Sequence, residues 1–229
     1  MSIYLKLLFT NYLYIGKRLE LEKARKFCPL LKGNILDIGC GSSPYKKLLD
    51  KDSRYFSMEY QRLDFKPDVS GDVDRLPFKD GPFDAVMFNE VIEHLPEPGK
   101  GLQEISRVLK KDGKLFMTAP MYWRMHYDSD YFRFTSQGLR YLLEKNNFNI
   151  QAIERMGGFF SIMFIRLIDI FVGKIFFRLM RLFSIERGKY RLAALLTWPF
   201  SLVGYYLGRI LDNIDRDDAF LWAVLAVKK

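Results

Sequence analysis

From Asn34 onward the chain alternates short apolar runs with amphipathic stretches, the pattern of strands interleaved with helices. Asn34–Ile38 reads as a strand ending in a glycine turn, and Tyr45–Leu49 as the start of a helix. Arg54–Glu59 is a second strand and Asp68–Val69 a short third. Phe83–Phe88 is a fourth, entered from the turn signal Lys79-Asp-Gly-Pro82. Gly99–Leu109 carries apolar residues at helical spacing and stops before Lys111-Asp-Gly113. Lys114–Thr118 then predicts a fifth strand, Thr135–Lys145 a helix with Thr135 as N-cap, and Phe148–Glu154 a sixth strand. Strand–helix alternation of this kind implies an α/β fold, a parallel sheet with helices on both faces. The final run, Ala219–Lys229, is again strand-like, so 156–218 is too long for a loop and reads as a helical insertion. Ahead of the sheet, Tyr4–Leu31 reads as a helical segment.

Charge sharpens this division. The net charge is +9, yet residues 33–159 carry eighteen basic and nineteen acidic side chains. The excess lies in residues 1–32 and 160–191, each with seven Lys/Arg against two acidic residues. Both segments are rich in bulky aliphatic and aromatic residues. That suits an anionic membrane surface better than nucleic acid, and no nucleic-acid partner is expected. Phe159–Phe183 is long enough to cross a bilayer but contains Arg166, Asp169, Lys174, Arg178 and Arg181. Central charges cost roughly 2.5–3.5 kcal/mol each on insertion, so a helix lying in the interface is the expectation. Leu192–Gly208 is uncharged but short, with Pro199 near its middle. The N-terminal run is broken by Lys6 and lacks a small-residue cleavage site, so no secretory signal is expected. Two cysteines, Cys28 and Cys40, exclude a disulfide scaffold. The expected setting is cytoplasmic, peripheral at the inner face of the membrane through 160–210.

The most informative segment is Ile35-Leu-Asp-Ile-Gly-Cys-Gly-Ser-Ser-Pro-Tyr45. A strand running into Gly39-x-Gly41 lets backbone approach a nucleotide-like ligand closely. A dinucleotide fold wants a third glycine where Pro44 stands and does not ask for Asp37. An acidic residue there suits a cationic ligand, and S-adenosylmethionine carries both an ammonium and a sulfonium. Glu59, at the end of the second strand, is placed to take two ribose hydroxyls.

With these residues and four later segments the sequence resembles the class I S-adenosylmethionine-dependent methyltransferases, in the branch with the small type 11 methyltransferase domain. The later segments are Gly71-Asp-Val-Asp-Arg-Leu-Pro-Phe78, Phe83-Asp-Ala-Val86, Glu90-Val-Ile-Glu-His94 and Arg107-Val-Leu-Lys-Lys-Asp-Gly113. The resemblance implies a Rossmann-like sheet of seven strands, mostly parallel, with the last antiparallel. It also implies S-adenosyl-L-methionine as cofactor, bound by Asp37, Gly39, Cys40, Gly41, Glu59, Asp72, Val73, Asn89 and Glu90. Asp72 and Val73 would meet the adenine edge, and Asn89 and Glu90 would border the methionine part. Ser43 replaces a further motif glycine. Pro120-Met-Tyr-Trp-Arg-Met-His126, with Asp130-Tyr-Phe-Arg-Phe-Thr135, is similar to methyltransferases of bacterial cell-envelope and polysaccharide gene clusters.

Methyl transfer from a sulfonium needs acceptor and methyl held in line, and a hydroxyl acceptor must also lose its proton. His126 is the candidate base; Tyr127, Asp128, Tyr131 and Arg133 are candidate acceptor contacts. Glu90, Glu93 and His94, at i, i+3 and i+4 of one helical turn, offer with His126 a ligand set for Mg²⁺ or Zn²⁺. The same pentapeptide orients the loop after the fourth strand in metal-free relatives, and the site is expected to hold no metal. The expected activity is O-methylation of a glycan- or lipid-like acceptor at a membrane surface. The alternatives are a non-catalytic cofactor-binding subunit and a metal-dependent O-methyltransferase of RNA or quinone type.

Overall fold

The computed structural model describes residues 13–60, 66–126, 128–182, 188–214 and 216–229. These pack as two compact units. One comprises Lys23–Arg155 and Leu221–Lys229; the other comprises the described part of Met1–Glu22 with Met156–Phe220.

The first unit holds a seven-stranded sheet. Its strands are β1 (Asn34–Ile38), β2 (Arg54–Glu59), β3 (Val69–Ser70), β4 (Phe83–Asn89), β5 (Leu109–Pro120), β6 (Phe148–Met156) and β7 (Leu221–Lys228). Their order across the sheet is β3-β2-β1-β4-β5-β7-β6. β1 pairs in parallel with β2 and β4, β2 with β3, and β4 with β5, whereas β7 runs antiparallel to β5. Leu36, Ile38, Val86, Phe88 and Leu115 are wholly buried in this sheet. A strand covered on both faces reads as a near-continuous apolar run, as β1 and β4 do.

Several expected boundaries shift. β5 begins at Leu109, because the pairing jumps from Phe83↔Leu109 to Ala85↔Lys114. The Lys111-Asp-Gly113 turn signal is therefore absorbed as a bulge within the strand, with Asp112 at φ 61°. The helix expected from Tyr45 is a single 3₁₀ turn, Lys46–Leu48. It carries no buried residue, so no apolar face exists to extend it. β3 lies one residue later than expected. The helices are α1 (Tyr14–Phe27), α2 (Pro98–Val108) and α3 (Ser136–Lys145). Thr135 caps α3, its side chain accepting from the Gly138 N–H.

The second unit is helical. α4 (Phe159–Ile168) runs through a π-helical stretch, Asp169–Phe176, into α5 (Phe177–Leu182), and α6 (Lys189–Leu211) follows. Asp212 closes the N-terminus of α4, taking the Gly158 N–H (2.8 Å) and the Ser161 N–H (3.1 Å) and hydroxyl (2.6 Å). Gly204 and Gly208 let α6 approach α4: a Cβ at either would crowd Phe164 or Ser161. Asp169 is buried, whereas Lys174, Arg178 and Arg181 are exposed. Among the described residues no helix is long and apolar enough to cross a membrane.

Candidate active site

β1 and β4 are neighbours whose chain connections leave in opposite directions across the sheet, the arrangement that opens a crevice beyond their carboxyl ends. Gly39 turns the chain there at φ 68°, and a Cβ on it would overlap Val91 Cγ2. Gly41 is also left-handed, at φ 47°. Ser43 adopts φ 52°, so it holds by strain a conformation glycine takes freely. Cys40 is buried and its thiol is pushed up to about 11 by burial, which makes it packing rather than a nucleophile.

The two expected carboxylates meet this turn. Glu59 Oε2 accepts the Gly41 N–H at 3.0 Å and Oε1 the Tyr60 N–H at 3.2 Å. Asp37 is 4% exposed, and its carboxyl is raised to about 7 by burial, against the lowering effect of Tyr55. The Tyr55 hydroxyl lies 2.5 Å from Asp37 Oδ2 and 2.8 Å from Ser43 Oγ, linking both sides of the glycine turn. An open depression of about 260 Å³ is lined by Cys40, Gly41, Ser42, Ser43 and Ser57. Beyond β3, Val73 is buried and Asp72 is exposed, its Oδ1 accepting the Asp74 N–H at 3.0 Å. Arg107 fixes this turn from below by donating to the Leu76 and Phe78 carbonyls and to Glu104.

At the end of β4, Asn89 presents a side-chain amide with no hydrogen-bond partner among the described residues. Glu90 stands at φ 54°, outside the 3₁₀ turn Ile92–His94, and its N–H donates to Thr118. Glu90, Glu93 and His94 thus do not share one helical turn: the left-handed residue ends the strand before the turn begins. Among the described residues the group within ligand reach is Glu93, His94 and His126, without Glu90.

The loop after β5 is closed by the Phe134 N–H donating to the Pro120 carbonyl, and its exit is held by Trp222 Nε1–H on the Phe134 carbonyl. Inside it, Asp130 is the hub. Its carboxylate accepts from Arg133 Nη1 (2.5 Å) and Nη2 (2.8 Å), and from the His126 N–H (3.1 Å) and Nδ1 (3.0 Å). The Arg133 hydrogen bonds hold the Asp130 carboxyl well below the usual carboxylate range. Arg133 also donates to the Trp123 and Phe132 carbonyls, so it serves here as a clamp for the loop rather than as a group turned to an acceptor. Burial lowers the His126 imidazole, against the pull of Asp130. Asp128 and Tyr131 are exposed; Tyr127 lies outside the described residues. Tyr55 carries no motif signal of its own, and although Asp130 and Arg107 stand in segments singled out above, their roles as hub and clamp appear only in the folded contacts.

Against known proteins, the sequence profile described as the Methyltransferase domain matches residues 36–117. An uncharacterized chloroplastic methyltransferase of Arabidopsis thaliana is 30% identical over 129 residues, 47% of this chain and 36% of that protein. The ubiquinone biosynthesis O-methyltransferase of Xanthomonas oryzae is 27% identical over 124 residues, 46% of each chain. The chain thus spans less than half the length of these relatives. Among solved structures, the cyclase SpnF aligns over 93% of this chain and 81% of its own, with TM-score 0.60 and 17% identity. A Burkholderia thailandensis 1,6-didemethyltoxoflavin N1-methyltransferase, solved with S-adenosylhomocysteine, aligns over 90% of this chain and 76% of its own, with TM-score 0.54 and 14% identity. The structural likenesses concern the fold, and the matched profile concerns the glycine turn and the strands around it. Across residues 36–117 the chain is thus similar to the methyltransferase domain.

Proposed function

We propose that this chain is an S-adenosylmethionine-dependent methyltransferase that O-methylates a glycan- or lipid-like acceptor at a membrane surface. The observation that carries the reading is the pairing of Asp37 and Glu59 around the glycine turn with a His126–Asp130 pair on the loop after β5. Asp37 meets the cofactor's ammonium and Glu59 its ribose hydroxyls. His126 donates Nδ1–H to Asp130, which leaves Nε2 as the acceptor for a hydroxyl proton. As that proton leaves, the acceptor oxygen attacks the methyl in line, and the C–S electron pair departs with a neutral thioether. Asp130 then holds the imidazolium, as a buried carboxylate does for a histidine base. The name of the Xanthomonas relative, an O-methyltransferase, supports oxygen as the atom methylated.

A membrane acceptor is supported by the second unit. Phe171, Ile175, Leu179, Leu182, Leu196, Ile210 and Ile214 are each about half exposed or more, beside exposed Lys174, Arg178 and Arg181. Apolar exposure on that scale marks an interaction surface, and the cations suit anionic lipid. The test is incubation of the full chain with methyl-labelled cofactor and a total membrane extract. Label should enter the lipid or glycan fraction and vanish with Asp37→Ala. Cofactor binding without transfer to any fraction would overturn the reading.

A further inference from the structure

We propose that Glu93, His94 and His126 form a binding site for one divalent transition-metal ion, of the Zn²⁺ or Mn²⁺ class. Their ligand atoms lie within 4.8 Å of one another, and His94 Nε2 is 3.9 Å from Glu93 Oε1. An ion with metal–ligand bonds of about 2.0–2.2 Å would draw such atoms to about 3.4 Å apart, a side-chain adjustment of an ångström or so.

Three features of the structure point to a cation rather than to chance proximity. First, both imidazoles are oriented through the same ring nitrogen. His94 Nδ1 donates to the Ser129 carbonyl at 2.8 Å and His126 Nδ1 to Asp130 Oδ2 at 3.0 Å. Each bond fixes the tautomer with its lone pair on Nε2, the arrangement by which ligating histidines are held from behind. The two rings meet edge-on with centroids 5.0 Å apart. Second, the Glu93 side chain is wholly buried, and neither carboxylate oxygen has a hydrogen-bond partner among the described residues. A buried carboxylate without such partners is costly, and a bound cation supplies the missing interaction. Third, the frame is already assembled. The Glu93 carbonyl accepts the Tyr131 N–H at 2.9 Å and the Phe132 N–H at 3.4 Å, tying the Ile92–His94 turn to the loop that carries His126.

Two imidazoles and one carboxylate favour a first-row transition ion over Ca²⁺ or Mg²⁺, which take oxygen ligands. Three protein ligands also leave coordination positions open, as in catalytic rather than structural sites. The inference rests on the reading above and changes one role within it. With Nε2 on the ion, His126 is a ligand and not the base. Held by Glu93, His94 and His126, the ion would supply Lewis-acid activation of an acceptor hydroxyl in place of a histidine base.

The test uses the full chain, stripped with a chelator, dialysed and titrated with Co²⁺, whose visible spectrum reports its ligands. One Co²⁺ per chain is expected, with d–d bands that Zn²⁺ bleaches by displacement. Glu93→Gln and His94→Gln should each weaken binding at least 100-fold, and Asp130→Asn about 10–100-fold as an outer partner of His126. Retained binding of S-adenosylhomocysteine shows that each variant is folded. Absence of a stoichiometric Co²⁺ site, or Co²⁺ affinity unchanged in His94→Gln, overturns the metal assignment. Chelator-treated protein that still transfers methyl groups at full rate overturns the metal's part in the reaction while upholding the methyltransferase reading. Stoichiometric Co²⁺ binding without any methyl transfer would uphold the site and overturn that reading.

Discussion

Asp37→Asn separates the cost of the proposed cofactor site from its use. The Asp37 carboxyl is 4% exposed and raised from 3.8 to about 7, first by burial, with Tyr55 opposing and Glu59 reinforcing the rise. A raised carboxyl means that the folded chain binds more protons than the unfolded one between these values. Stability therefore falls as pH rises through that window and stays low above it. That displacement of the carboxyl corresponds to roughly 4 kcal/mol. Asparagine keeps the shape and still accepts from the Tyr55 hydroxyl, a neutral hydrogen bond about 1 kcal/mol weaker than the charged one. The ligand-free variant should therefore be about 2–4 kcal/mol more stable than the parent at pH 8 and nearly equal to it at pH 4. Urea denaturation across that range measures the difference, and calorimetry on the same samples should show cofactor affinity lost. A variant less stable than the parent at pH 8, or one that binds the cofactor as well, would refute the reasoning.

Other outcomes follow from the same geometry. Tyr55→Phe removes the hydroxyl that favours ionised Asp37, so the pH midpoint of cofactor binding should move up by about 1–2 units, a charged hydrogen bond being about 1.5–3 kcal/mol; an unmoved midpoint counts against the link. Gly39→Ala meets both an unfavourable φ of 68° and Val91, and should lose about 2 kcal/mol or more by chemical denaturation. Adding Val91→Ala should restore only the steric part. Arg107→Ala frees the Leu76 and Phe78 carbonyls and should weaken cofactor binding more than Arg107→Lys, because a single ammonium cannot span the donors of the guanidinium. Replacing Phe171, Ile175 and Leu179 together by Ser should reduce flotation with anionic vesicles at low salt while leaving cofactor affinity unchanged; equal flotation would remove the membrane reading.

Much of the sheet was legible because buried parallel strands leave unambiguous apolar runs: β1 and β2 fall at the residues expected, and β4 extends one residue further. The glycine turn was legible because a left-handed backbone under a close side chain admits little besides glycine. What sequence hid were outcomes of register and distance. The bulge at 110–113 depends on how β5 pairs with β4, which local turn signals do not encode. Glu90 breaks from the following turn through its own φ, so the i, i+3, i+4 spacing suggested a shared face that the chain does not form. Asp130 opens a segment singled out in the sequence but was given no role there, because its importance arises only when the loop folds back and brings His126 and Arg133 onto one carboxylate. In the second unit, Asp169, counted in the sequence among the charges that disfavour a membrane span, is buried.

The most direct measurement is titration calorimetry of the purified chain with S-adenosylmethionine and S-adenosylhomocysteine, alongside a nicotinamide dinucleotide. The account predicts one site for each of the first two ligands, lost with Asp37→Ala, and no heat with the dinucleotide. Binding of the dinucleotide in the absence of any response to the sulfonium compound or its thioether product would contradict it.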